Sequence, residues 1–185
     1  MAYTTLAEVK THCGPVTGNG EDTYLTAIMN AAEVFIENYT GRVFDADAEA
    51  EVDYSRVRGL PGPSRFHGNM LYFYTECADT PSAITDSPTV IMVPETGPPY
   101  YGMYITDGAW AYPTVTVKSY WGYSKTPPAD IELAVWMICK WLYDARHSTD
   151  TDAVVVSANG QVLIPQGVPK DILAILDPYK KMVLA

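Results

Sequence analysis

Residues 127–147 read PPADIELAVWMICKWLYDARH. Two consecutive prolines end a strand and suit the first turn of a helix, so a helix is predicted from about Asp130. Between Ile131 and Tyr143 only Glu132 and Lys140 are charged. A surface helix confines its apolar residues to one stripe, and a helix apolar nearly all round needs cover nearly all round. Trp136 and Trp141 stand five residues apart, which turns them to different sides. A small domain covers one side of such a helix. The prediction is therefore a core on one side and a subunit interface at Trp136, Lys140 and Trp141 on another.

Upstream, Leu25, Ile28, Met29, Ala32, Phe35, Ile36 and Tyr39 follow the three-and-four spacing of one buried helical stripe. Glu21 or Asp22 starts this second helix, where negative charge suits the dipole, and Gly41 stands where a left-handed cap is wanted. Before it, Thr5-Leu6-Ala7-Glu8 fits a capping box for a short helix running to about His12, stopped by Gly14-Pro15.

Between the second and third helices the text turns to β. Asp45, Asp47, Glu49, Glu51 and Asp53 alternate with Ala46, Ala48, Ala50 and Val52, which puts all five carboxylates on one face of an extended segment. That face is either an acidic rim facing a channel or a divalent ion, or simply a solvated strand surface. Strands are predicted at Met70–Thr75, Thr89–Val93, Gly102–Thr106 and Thr114–Trp121, with Asp107-Gly108 as a hairpin turn. After the third helix, Val154-Val155-Val156 and Val162-Leu163-Ile164 flank an Asn159-Gly160 turn inside a polar loop. Pro169 then opens a short helix, Lys170 to Leu176. The predicted class is α+β: a small helical bundle with an antiparallel β insertion between the second and third helices.

Composition bounds the rest. The chain has 185 residues, 48% hydrophobic and 18% charged, with net charge −10, which describes a folded protein large enough for a sizeable core. Its 12 basic residues form no stripe, so the electrostatic footprint of a nucleic-acid binder is missing. Cys13, Cys77 and Cys139 are odd in number and far apart and read as reduced thiols of a cytoplasmic product. The opening residues show no secretion signal, and no apolar run reaches the length of a membrane span. No P-loop, G-x-S-x-G, G-x-G-x-x-G or H-E-x-x-H occurs. His12, His67 and His147 lie in separate segments, and His147 with Asp150 and Asp152 reads as a solvated loop rather than a metal site.

Four stretches together resemble the head–tail connector (adaptor) family of tailed bacteriophages: Tyr3 to Lys10; Ile36 to Phe44, with its Tyr39-Thr40-Gly41-Arg42 helix end; Trp121 to Ile131; and Val168 to Tyr179. They cover about the first quarter and most of the last third of the chain. Residues 54–112 match no motif of that family. The resemblance implies a single connector domain: residues 1–44 and 128–179 as helical core, 45–121 as β-rich insertion, 147–167 as extended loop and 180–185 as tail. It implies a homo-oligomeric ring, expected to be twelve-fold, in the virion neck, assembled in the host cytoplasm. Such a ring docks on the portal protein, meets a tail-side protein and passes DNA without reading its sequence. It implies no cofactor, no membrane and no catalysis. Candidate contacts with portal or tail are Val154, Val155, Val156, Val162, Leu163, Ile164, Tyr179, Met182 and Leu184, because strand-capable apolar segments outside a core seek an edge or groove.

Two other readings stay open at this point. Tyr72, Tyr74, Tyr100, Tyr101, Trp110 and Tyr112 suit a carbohydrate- or receptor-binding module. A hydrolase built on Asp47 or Glu49 needs two carboxylates facing each other in a pocket, which spacing alone cannot identify.

Overall fold

The computed structural model describes residues 3–14, 18–55, 66–86, 88–106, 108, 110, 114–147 and 167–181. The chain divides into two units, residues 1–42 with 127–185, and residues 43–126.

The first unit is helical. Helix α1 spans Leu6–Cys13, and both arms of its capping box form: the Glu8 amide donates to Thr5 Oγ1 at 3.3 Å and the Thr5 amide to Glu8 Oε2 at 2.8 Å. Helix α2, Asp22–Thr40, ends on Gly41 at φ 69°, whose N–H bonds the Glu37 carbonyl at 2.8 Å. Helix α3, Ala129–His147, starts after the prolines, with the Ile131 amide donating to the Pro128 carbonyl. Helix α4, Lys170–Leu176, runs into a 3-10 turn, Asp177–Tyr179.

Packing is centred on α3, which lies against α1, α2 and α4. Its inward stripe is Ile131, Ala134, Val135, Ile138, Cys139 and Leu142, all buried. Facing residues include Val9, Leu25, Ile28, Ile36, Ile172 and Leu176. Large apolar side chains buried this fully contribute about 1.5–3 kcal/mol each before entropy is counted. The stripe predicted for α2 is corrected at two places. Phe35 and Tyr39 are half-buried and stack on each other at 5.8 Å, while Glu33 and Thr40 are buried. Polar groups enter there because each is bonded: Glu33 Oε1 accepts the Tyr3 amide at 2.8 Å, and Thr40 Oγ1 donates to the Ile36 carbonyl at 2.7 Å.

The second unit is β. Its strands are β1 Glu49–Ser55, β2 Phe66–His67, β3 Met70–Cys77, β4 Ala83–Ile84, β5 Val90–Val93, β6 Tyr100–Ile105 and β7 Thr114–Tyr120. They form two antiparallel sheets, one ordered β1-β7-β4 and one ordered β2-β3-β6-β5, with a bridge between Cys77 and Trp121. Between the sheets lies one core of Tyr54, Leu71, Phe73, Cys77, Met92, Met103, Ile105, Trp110, Val115 and Val117. Strand β7 alternates cleanly: Val115, Val117 and Ser119 are buried and Thr116, Lys118 and Tyr120 are half-buried.

Two expectations change here. The acidic segment becomes strand only at Glu49, with a bend at Ala48, so Asp45 and Asp47 lie outside β1; alanine has little strand propensity. The hairpin expected at Asp107-Gly108 has Asp107 outside the described residues. The strands flanking that turn do not pair with each other, since β6 lies in one sheet and β7 in the other. Strands β2 and β4, of two residues each, carry too little pattern to be read from sequence.

Candidate assembly surfaces

Among the described residues, part of helix α3 is left exposed. Leu133 is 41% exposed, Lys140 is exposed, and Trp136, Met137 and Trp141 are half-buried. Spacings of three and four residues place Leu133, Met137, Lys140, Trp141 and Asp144 along one outward stripe. Its two charges answer each other, Lys140 Nζ lying 3.0 Å from Asp144 Oδ2. Trp136 is held from the side of α1: its indole N–H donates to Thr4 Oγ1 at 2.6 Å and its ring stacks on His12 at 4.1 Å. Trp141 and Lys140 thus lie on the open stripe, and Trp136 at its margin. Leu133, the most exposed apolar residue of the helix, escaped the sequence reading because leucine carries no signal of interface as distinct from core.

The acidic candidates separate into two groups. Asp45 is half-buried, and burial together with Asp47 raises its carboxyl above the usual range. Asp47 is exposed. Glu49, Glu51 and Asp53 share the outer face of β1, opposite Tyr120, Lys118 and Thr116. Lys118 Nζ lies 3.3 Å from Glu49 Oε2, and the Thr116 hydroxyl donates to Asp53 Oδ1 at 2.6 Å. Hydrogen bonds from Ser82 and Lys118 hold the Glu49 carboxyl below the usual range. This face is therefore partly answered by its neighbour strand.

Among the portal or tail candidates, Tyr179 is half-buried and its hydroxyl donates to Asp130 Oδ2 at 3.2 Å, at the start of α3. Beyond it the Lys181 amide donates to the Thr40 carbonyl at 2.8 Å, which lays the last described residue along the end of α2. Val154, Val155, Val156, Val162, Leu163, Ile164, Met182 and Leu184 lie outside the described residues.

The aromatic residues of the β unit differ in exposure. Trp110 is core, 3% exposed, its indole donating to the Asn69 carbonyl at 2.8 Å. Tyr112 lies outside the described residues, and Tyr100 is half-buried. Tyr72, Tyr74 and Tyr101 are exposed. The register of the four-stranded sheet gives its outer face two rungs. One runs His67, Met70, Tyr104, Ile91, and the other Tyr72, Gly102, Val93. No side chain on either rung carries a carboxylate, an ammonium or a guanidinium. The inner rung, Phe66, Leu71, Met103, Met92, is core. A β-carbon at Gly102 would stand 2.5 Å from the Leu71 carbonyl oxygen and 2.8 Å from Met70 Cε, so the methionine tip lies over the bare backbone.

Chemistry-bearing groups are otherwise sparse. Among the described residues no three His, Cys, Asp or Glu side chains gather to hold a metal ion, and no helix is long and apolar enough to cross a membrane. Burial pushes the Cys13 thiol up to about 11 and raises Cys77 and Cys139 as well, which favours the protonated thiol over the nucleophilic thiolate.

Residues 3–62 match the family model of the phage gp6-like head-tail connector protein. Comparison with curated proteins gives no match. Solved structures resemble the chain over nearly its whole length. A chain from the neck of an empty gene transfer agent particle, computed with C6 symmetry, has a TM-score of 0.63 at 14% identity, covering 99% of this chain and 92% of that one. A chain from the neck of the native particle, computed with C12 symmetry, has a TM-score of 0.57 at 14% identity, covering 97% and 90%. A third, from the virion of the native particle, has a TM-score of 0.52 at 17% identity, covering 99% and 92%. The α+β fold is thus shared from end to end, and the resemblance to the connector family rests on the sequence of the first third.

Proposed function

We propose that this chain is a structural head–tail connector subunit of a phage-like virion, which forms a ring in the neck and joins capsid to tail around a channel for DNA. The observation that carries this reading is the match of residues 3–62 to the connector family. That segment includes α1, α2 and the Gly41 cap, whose geometry follows from the residues themselves. Fold likeness to chains from particle necks computed with six- and twelve-fold symmetry supports a ring. The role is structural rather than catalytic. Exposed tyrosines alone do not support a sugar-binding module, because Trp110, the one tryptophan of that set, belongs to the core.

On this reading the outward stripe of α3, with Trp141 and Lys140 on it and Trp136 at its edge, is a subunit interface. The portal lies on one side of the ring and a tail-side protein on the other. Val154–Val156, Val162–Ile164, Tyr179, Met182 and Leu184 are the segments that reach them, and twelve is the expected copy number. Asp45, which is half-buried, Asp47, Glu49, Glu51 and Asp53 are the carboxylates that would face passing DNA, where negative charge prevents sticking.

Electron microscopy and native mass spectrometry of the purified protein mixed with its portal protein test the reading. Rings seated on the portal are expected. A protein that stays monomeric and shows no affinity for the portal would overturn it.

A further inference from the structure

We propose that the outer face of the four-stranded sheet is the other half of the contact between neighbouring copies, receiving the α3 stripe of the next copy. This rests on the ring reading given above. A closed ring of identical subunits repeats one heterologous contact, in which two different patches of the same chain meet. The α3 stripe supplies one patch and therefore requires a second, elsewhere on the molecule.

Charge favours the sheet face over the acidic ones. The chain carries a net charge of −10, so two copies repel wherever carboxylates meet. The outer face of β1 bears Glu49, Glu51 and Asp53, and α4 with its following turn bears Asp171 and Asp177. The rung of Tyr72, Gly102 and Val93 bears no acidic or basic side chain, and its Tyr72 is 46% exposed; the other carries His67 but no carboxylate, ammonium or guanidinium of its own. A basic partner is met by several carboxylates and an anionic one by lysine or arginine; the rungs offer neither, and the one carboxylate at their edge, Glu95, already accepts the Tyr104 hydroxyl at 3.1 Å. The α3 stripe matches it, because Lys140 and Asp144 neutralise each other and the rest is Leu133, Met137 and Trp141. Both surfaces are built of large apolar or polar-tipped side chains, which are the residues enriched in the cores of interfaces. A second copy, brought up with its stripe against this face, buries uncharged surface on both sides and keeps the acidic surfaces apart.

The test uses two variants, Tyr72→Arg on the sheet and Leu133→Arg on α3. Both replaced side chains are exposed, so each variant should keep the wild-type circular dichroism and unfolding midpoint. Tyr104→Arg, on the other rung, repeats the sheet arm should Tyr72→Arg fail that check. Under conditions in which the wild type assembles, each variant alone should remain monomeric in sedimentation and native mass spectrometry. An equimolar mixture should give a heterodimer that grows no further, since each partner then keeps one working face. A Tyr72→Arg protein that still forms wild-type rings overturns the proposal, and so does a mixture without heterodimer. A glycan-array signal that Tyr72→Arg abolishes while rings still form assigns the face to sugar and also overturns it. A wild type that never assembles, with or without portal, strikes the ring reading itself and this proposal with it.

Discussion

Gly41 and Gly102 are both required, for unrelated reasons. Gly41 closes α2 at φ 69°, a left-handed backbone that L side chains adopt at a cost. A β-carbon there would meet Lys181 Cβ at 3.5 Å, an ordinary contact. Gly41→Ala should therefore lose about 1 kcal/mol through conformation alone, read as a lower urea midpoint with unchanged m-value. Gly102 is in extended backbone, and its substitution fails on space, since the Leu71 carbonyl stands 2.5 Å from the added carbon. Gly102→Ala should cost about 1–3 kcal/mol by forcing β3 and β6 apart, with the loss visible in near-ultraviolet dichroism as Tyr72 and the core rings shift. The first glycine was legible in the sequence, because a helix end announces itself locally. The second was not, because the strand it lies against begins about thirty residues upstream. Trp136 belongs with the second kind: its partner Thr4 is 132 residues away, and only folding brings them together.

At the level of elements, helices were more legible than sheets. Capping residues and a 3.6-residue period are written within one segment, so α1, α2 and α3 could be placed from residues alone. A strand's alternation shows its two faces and leaves its neighbours unspecified, which is why β7 was readable while its pairing with β1 and β4 was not. The division of α3 into inward and outward stripes predicts unequal costs. Leu142→Ala, at 0% exposure, should destabilise by about 2–5 kcal/mol. Leu133→Ala should change stability by less than about 0.5 kcal/mol. Equal losses in a denaturant titration would mean that the stripe is covered within the single chain. A pH effect belongs to the junction of α2 and α3. The Tyr143 hydroxyl donates to Glu21 Oε2 at 2.7 Å, and His147 Nε2 lies 3.2 Å from Glu21 Oε1. These bonds, led by Tyr143, hold the Glu21 carboxyl below its usual range, and the same contact pushes Tyr143 up to about 12. A carboxylate whose pKa is depressed on folding stabilises fully above its unfolded value and loses that contribution as pH falls through the folded one. Glu21→Gln should therefore lower the unfolding temperature at neutral pH, with the gap to wild type closing below about pH 4. A gap that stays constant into acid would show that the bonds outlive the charge.

For the whole molecule, the balance between a net charge of −10 and an uncharged contact fixes how assembly answers to salt. Copies approaching each other repel over a distance set by screening, about 30 Å at 0.01 M ionic strength and about 8 Å at 0.15 M. If neighbouring copies join through the largely uncharged sheet rungs and the internally neutralised α3 stripe, added salt weakens that repulsion and leaves the contact itself nearly untouched. Self-association should then strengthen from low to physiological salt and level off once the screening length falls below the spacing of the acidic faces. A ring held by ion pairs between copies, for instance Lys118 or Lys125 of one copy against Glu51 or Asp53 of the next, would instead weaken steadily as salt rises. Sedimentation velocity of wild-type protein across that range separates the two. A charge-reduced variant sharpens the result: Glu51→Gln with Asp53→Asn should assemble more readily at low salt and match wild type at high salt. Equal behaviour at both extremes would show that the acidic face of β1 is remote from every neighbouring copy, as a surface turned toward a central channel need not be.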